Sequence, residues 1–138
     1  MTKQIWINLP VKDIKKSRAF FTKLGFSHNT EHGNQDDSAG FFIGDKNVVI
    51  MLFTEPTFKM FTRNEITDTR QSTEVLFSID AESREEVDEM AKKAVEAGGT
   101  IFGEPEEQQG WMYGCGFADL DGHRWNVLYM DLSKMKTN

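Results

Sequence analysis

The sequence repeats one order of secondary-structure elements, and this repetition limits the possible folds more than any other feature. Each half reads as one strand, one helix and three further strands. In the first half the predicted elements are a strand at Gln4–Leu9, a helix at Ile14–Leu24, and strands at Ser27–His32, Ala39–Ile43 and Val48–Thr54. In the second half they are a strand at Thr73–Asp80, a helix after Ser83, and strands at Thr100–Gly103, Met112–Ala118 and Arg124–Met130. One helix covers only one face of such a sheet, so the other face must pair or line a cavity. We therefore predict an α+β fold of two βαβββ modules that form a cupped mixed sheet.

Residues typical of helix ends support both predicted helices. Asp13 is placed to cap the first helix, and Gly25 to end it. Ser83 and Glu86 have the spacing of a capping box at the start of the second helix, which ends before Gly98. The repeat predicts modules at about residues 3–55 and 72–132, joined by a connector at 56–71. The length of 138 residues fits a single domain, residues 1–138, made of these two modules.

Charge and composition exclude several classes of partner. The net charge of -6 and the pI near 5.1 disfavour a surface for nucleic acid or anionic membrane, because phosphate is repelled by an acidic protein. No apolar run approaches the ~20 residues that span a bilayer. A single cysteine, Cys115, cannot form an internal disulfide. We expect a cytoplasmic protein with no nucleic-acid or membrane partner.

Several short segments resemble the vicinal oxygen chelate superfamily, which includes glyoxalase I, bleomycin- and fosfomycin-resistance proteins and extradiol dioxygenases. They are "NLPVKD" from Asn8, "SREEVDE" from Ser83, "GWMYGCGF" from Gly110 and "DLDGH" from Asp119. The same segments are similar to a branch of predicted lactoylglutathione lyases. The resemblance extends over Gln4 to Asp131 and implies the two-module fold, a small-molecule ligand and a homodimer. It identifies the fold more closely than the reaction, because this fold carries many chemistries.

The resemblance also implies where a metal would be held. Family members that bind metal use side chains on the first and last strands of each module. Matching by position places Trp6, Ile50, Glu74 and Asn126 at those sites. Only Glu74 is a good ligand for a transition metal, and Asn126 is a weak one, since indole and isoleucine offer no lone pair. The incomplete ligand set predicts no resident cofactor, although a divalent metal stays an alternative.

Alternation along the strands predicts which side chains line the cup. The predicted ligand-binding residues are Trp6, Asn8, Ile50, Leu52, Leu76, Gly114, Gly116, Asn126 and Leu128. The missing side chains of Gly114 and Gly116 are expected to leave space. A mostly apolar lining with a few convergent polar groups is typical of a small-molecule pocket.

Glu74 is the predicted catalytic residue. A carboxylate inside an apolar cup has its pKa raised by desolvation, which suits it to abstract a proton or to accept a hydrogen bond from a ligand. The competing interpretation is a carboxylate near solvent at a strand end, or one paired with an arginine. For the polar and aromatic lining, a purely structural role is equally open. Trp6 would then be a core residue, and Asn8 and Asn126 would be mutual hydrogen-bond partners.

The sequence also predicts the environment of one residue, Cys115, and of one acidic segment. Cys115 has the opposite parity to Gly114 and Gly116, so its thiol should face the helix and be structural. The acidic segment Glu104–Gly110 is predicted to be a solvated loop, or else a flexible lid.

Two functions remain open. One is a lyase or isomerase of the lactoylglutathione type that uses Glu74 and, if present, a metal. The other is a protein that binds or sequesters a small molecule or antibiotic without metal or catalysis.

Overall fold

The secondary structure follows the predicted repeat in both halves of the chain. A computed structural model describes residues 1–29, 36–45 and 48–134. Its elements are β1 (Trp6–Val11), α1 (Ile14–Lys23), β2 (Ser27–His28), β3 (Ser38–Ile43), β4 (Val48–Thr54), α2 (Glu55–Thr62), β5 (Leu76–Asp80), α3 (Arg84–Glu96), β6 (Thr100–Gln108), β7 (Met112–Ala118) and β8 (Arg124–Met130), with a 3₁₀ turn at Leu132–Lys134. The predicted α+β fold of two βαβββ modules is confirmed, and α2 forms the first part of the connector.

The two modules have the same sheet topology. The strand order is β1-β4-β3-β2 in module one and β5-β8-β7-β6 in module two. In each sheet the first and last strands of the module pair in parallel, and the remaining pairs are antiparallel. The chain divides into two compact units, Met1–Asp68 and Thr69–Asn138, each with its own sheet.

Both long helices begin as the sequence predicts. The Asp13 carboxylate accepts a hydrogen bond from the backbone N–H of Lys16 at 3.1 Å. The Ser83 hydroxyl accepts one from the N–H of Glu86 at 3.1 Å, and the Glu86 carboxylate accepts one from the N–H of Glu82 at 3.0 Å. These bonds satisfy backbone donors that a helix start leaves without a partner.

A core forms between each sheet and its helix. In module one the buried core includes Leu9, Val11, Phe20, Phe21, Phe41 and Leu52. In module two it includes Val87, Ala94, Phe117, Trp125 and Val127. Each sheet therefore has a helix-covered face, against α1 or α3, and an opposite face that we call the distal face.

Several strand boundaries differ from the prediction, and the differences are largest at β5 and β6; β1, predicted at Gln4–Leu9, runs from Trp6 to Val11. The segment expected as an acidic loop lies largely within β6, which runs to Gln108. A proline in a strand pattern favours a loop, but Pro105 is on an edge strand, where its missing N–H is tolerated. Strand β5 begins at Leu76 and not at Thr73. Strand β2 ends at His28, and the predicted continuation beyond Asn29 to His32 falls outside the described residues.

None of the described helices is long and apolar enough to cross a membrane.

Candidate functional site

The distal face of module two collects the polar candidates from three neighbouring strands. Asn126 on β8 pairs with Ser78 on β5 and with Gly116 on β7. Since paired residues of adjacent strands point to the same side of a sheet, these positions share one face. By the same register this face carries Leu76, Ser78, Gly114, Gly116, Arg124, Asn126 and Leu128. The alternate residues Trp125 and Val127 are each 1% exposed on the helix-covered face.

Five predicted ligand-binding residues therefore lie together on this distal face: Leu76, Gly114, Gly116, Asn126 and Leu128. Leu76 is 51% exposed, so its side chain is available to a ligand on this face. Their shared face agrees with the alternation that predicted them. Their role in binding stays a prediction.

The two glycines do not leave the empty space that the sequence predicts. A Cβ at Gly114 would lie 2.6 Å from Cδ2 of Leu128. A Cβ at Gly116 would lie 2.5 Å from two ring atoms of Phe102. Neighbouring side chains thus fill the volume above both glycines, and the glycines allow Leu128 and Phe102 to lie flat on the sheet.

Arg124 is the cation of this face, and the sequence prediction missed it. Its guanidinium carbon lies 4.5 Å from the centroid of the Phe102 ring. The Nε atom of Arg124 is buried and has no hydrogen-bond partner among the described residues. Alternation from Asn126, two residues later on β8, would have placed Arg124 on the same face.

Glu74 lies outside the sheet. It is two residues before the start of β5 and is exposed. The burial that was expected to make it a base is therefore absent. Its position matches the competing interpretation of a carboxylate near solvent at a strand end, and its catalytic role stays a prediction.

In module one, Trp6 and Asn8 lie on the distal face as expected, whereas Ile50 and Leu52 do not. Trp6 pairs with Val49, and Ile50 pairs with Ile7. Ile50 is 4% exposed and Leu52 is fully buried, both on the face that α1 covers. The predicted orientation of this pair is wrong by one residue. The strand "VVIMLFT" is apolar at successive positions, so alternation does not show which of its residues point to which face of the sheet.

The comparisons with known proteins agree with this architecture. The family model of the glyoxalase/bleomycin resistance protein/dioxygenase superfamily matches residues 3–127. The chain belongs to this superfamily. A search of curated proteins finds no significant match to this superfamily member.

Solved structures resemble this superfamily member along nearly its whole length. A hypothetical protein of Staphylococcus aureus is 35% identical with a TM-score of 0.82, over 94% of this chain and 95% of that one. A glyoxalase/bleomycin resistance protein/dioxygenase family enzyme of Burkholderia phytofirmans is 19% identical, with a TM-score of 0.75 over 91% and 96%. A fosfomycin resistance protein of Listeria monocytogenes is 21% identical, with a TM-score of 0.67 over 96% and 97%. The latter two likenesses concern the fold alone.

The residues at the superfamily's metal positions do not fit a transition metal. Ile50 points into the helix-covered core, and its neighbours Val49 and Met51 offer no nitrogen or carboxylate ligand on the distal face. Trp6 has no lone pair to donate, and Glu74 lies outside the strand. Among residues 1–29, 36–45 and 48–134, no three His, Cys, Asp or Glu side chains are grouped to hold a metal ion. The side chains at these positions therefore do not form a transition-metal site.

A buried carboxylate, which the sequence prediction also missed, holds the turn before β8. Asp119 is 5% exposed and accepts hydrogen bonds from the backbone N–H groups of Asp121 and His123, both at 3.0 Å. It also accepts one from Nε1 of Trp125 at 3.1 Å. Desolvation raises the pKa of Asp119, while His123 and these donors act in the opposite direction. The "DLDGH" motif thus fixes the point at which β8 begins.

The thiol of Cys115 faces α3, as its parity predicts. Its Sγ lies 3.9 Å from the carbonyl oxygen of Val87, to which it donates. Burial, followed by the nearby carboxylates of Asp88 and Glu104, raises the pKa of Cys115 to about 11. The thiol is therefore protonated at neutral pH and structural.

Proposed function

We propose that this protein binds a small organic molecule on the distal face of module two without requiring a metal. The observation that carries the proposal is the combination of polar and exposed apolar groups on one sheet face. Arg124, Asn126 and Ser78 lie beside Leu76, which is 51% exposed, and Phe102, which is 42% exposed. Small-molecule sites have this composition, with apolar surface for affinity and a few polar groups for orientation.

Leu76 offers a direct test of the binding face. Leu76→Lys places a charge on the apolar part of that face. Val95→Lys is a matched control, because Val95 is 55% exposed and lies on α3. A fragment library is screened by saturation-transfer NMR against the wild type with and without EDTA. We expect fragments to bind in both conditions, with signals lost in Leu76→Lys and retained in Val95→Lys. Equal signals in both variants would place binding elsewhere.

A second candidate is lyase activity of the lactoylglutathione type. Membership of the superfamily and the carboxylate at position 74 favour it. The assay is turnover of the hemithioacetal of methylglyoxal and glutathione with added Ni²⁺ or Zn²⁺, for the wild type and Glu74→Gln. Turnover that requires Glu74 and stoichiometric metal would favour the lyase over metal-independent binding. No turnover under any of these conditions would remove the lyase candidate.

A homodimer and a cytoplasmic location remain proposals as well. The homodimer is supported by the family resemblance and the cytoplasmic location by the single cysteine.

A further inference from the structure

We infer that the ligand of module two is an organic anion and that Arg124 binds its oxyanion group. This inference rests on the proposed binding function and specifies the chemical class of the ligand. It begins from the position of Arg124 at the start of β8, next to Leu76 on β5 and Ala118 on β7. Neither neighbour offers an acceptor side chain to the guanidinium.

A second arginine of the same module shows what a structurally paired guanidinium looks like here. Arg84 also stacks on an aromatic ring, with its guanidinium carbon 5.0 Å from the centroid of Tyr113. Its Nη2 atom donates to the Glu107 carboxylate at 2.6 Å. The side chain of Arg124 forms no ion pair and no hydrogen bond within the described part of the chain. Arg124 thus has the stacking contact of Arg84 without the carboxylate.

Glu74 precedes β5 at the Arg124 end but forms no ion pair with Arg124. The acids of the strands themselves, Asp80 and Glu106, are too far along the strands to be that partner. Asp80 pairs with Leu128, and Glu106 pairs with Gly114, which also pairs with Leu128. Leu128 follows Arg124 by four residues on β8, and a rise of about 3.3 Å per residue separates the two positions by roughly 13 Å. Among the strand residues of this face, Arg124 therefore lies at one end and Asp80 and Glu106 lie at the other.

The environment of Arg124 favours recognition of an oxyanion. Stacking on Phe102 restricts the planar guanidinium, so less conformational freedom is lost when it binds a ligand. A guanidinium donates two parallel hydrogen bonds to a carboxylate or phosphonate. Exposed apolar groups, Leu76 and Phe102, lie beside it for the carbon skeleton of the ligand. A small apolar molecule with one terminal oxyanion matches this arrangement.

The test compares anionic and neutral probes that share a phenyl ring, and phenylacetate and phenylacetamide also share the same shape. Phenylacetate, phenylphosphonate and the neutral phenylacetamide are titrated into the full chain and followed by NMR. We expect one or both anions to bind at least about tenfold more tightly than the amide, as a charge-assisted pair implies. The anion that binds more tightly identifies the oxyanion class. In Arg124→Gln this preference should vanish, and in Arg124→Lys part of it should return. Arg84→Gln, the matched control, should bind like the wild type.

The outcomes separate this inference from the function on which it rests. If the anions and the amide bind equally to the wild type, or if Arg124→Gln keeps the anion preference, the inference is wrong while small-molecule binding stands. If neither these probes nor the fragment library bind, both proposals fail. Thermal unfolding of each variant checks that it is folded, and the Arg124→Lys rescue excludes a purely structural effect.

Discussion

The two modules share one topology but differ in the chemistry of their distal faces. In module one this face carries Trp6, Asn8 and Met51 and no charged side chain on the described parts of β1, β3 and β4. At its edge Phe61 of α2 packs on Phe53, with ring centroids 5.1 Å apart. In module two the same face carries Arg124 at one end and Asp80 at the other. The repeat therefore preserves the helix-covered core, while the distal faces have diverged.

This difference indicates that the two faces of each sheet have separate roles. The helix-covered faces are apolar in both modules because each must bury its surface against a helix. The distal faces are not covered by α1 or α3, so packing against those helices does not constrain their residues. The charged distal face of module two is accordingly the stronger candidate for recognition, and the apolar face of module one for packing.

The largest expected effect separates the two faces of module one. Leu52 is fully buried toward α1, whereas Met51 points to the distal face and is half-buried. Leu52→Ala should lower the free energy of unfolding by about 3 kcal/mol, because it leaves a cavity in the core. Met51→Ala should cost about 1 kcal/mol. Urea denaturation of both variants measures the difference. A larger loss of stability in Met51→Ala than in Leu52→Ala would mean that Leu52 faces the distal side, as alternation alone predicted.

The next largest effect separates the turns that precede the last strand of each module. Asp119→Ala should lower the free energy of unfolding by about 2 kcal/mol, since it removes the acceptor of three donors, including buried Trp125 Nε1. Asp45→Ala, in the exposed turn of module one, should change stability by less than about 0.5 kcal/mol. Thermal unfolding of both variants checks this. Equal losses would mean that the two turns are held in the same way.

The sequence predicts the fold well and the site only in part. The predicted order of strands and helices is confirmed. It was predictable because hydrophobic periodicity and capping residues, such as Asp13 and Ser83, are local signals. Alternation could not predict which residues of β4 face the helix, since both faces of this strand are apolar. The ring of Phe102 fills the space above Gly116. Because Phe102 comes from a neighbouring strand, no local sequence pattern shows this contact.

Arg124 is a different case, because its face was predictable and its significance was not. Alternation from Asn126 places it correctly. Its guanidinium stacks on Phe102 and has no carboxylate partner among the described residues, and both facts depend on the register of β5, β7 and β6. The sequence shows that Arg124 is a cation in an acidic protein. Only the structure shows which carboxylates are too far away to form an ion pair with it.

The central claim is that ligand recognition belongs to the distal face of module two. A map of backbone amide shifts during titration with phenylacetate tests this claim most directly. We expect the largest changes at residues 76–80 of β5 and 124–130 of β8, and their loss in Arg124→Gln. Largest changes in β1 and β4 of module one, unaffected by Arg124→Gln, would contradict the claim.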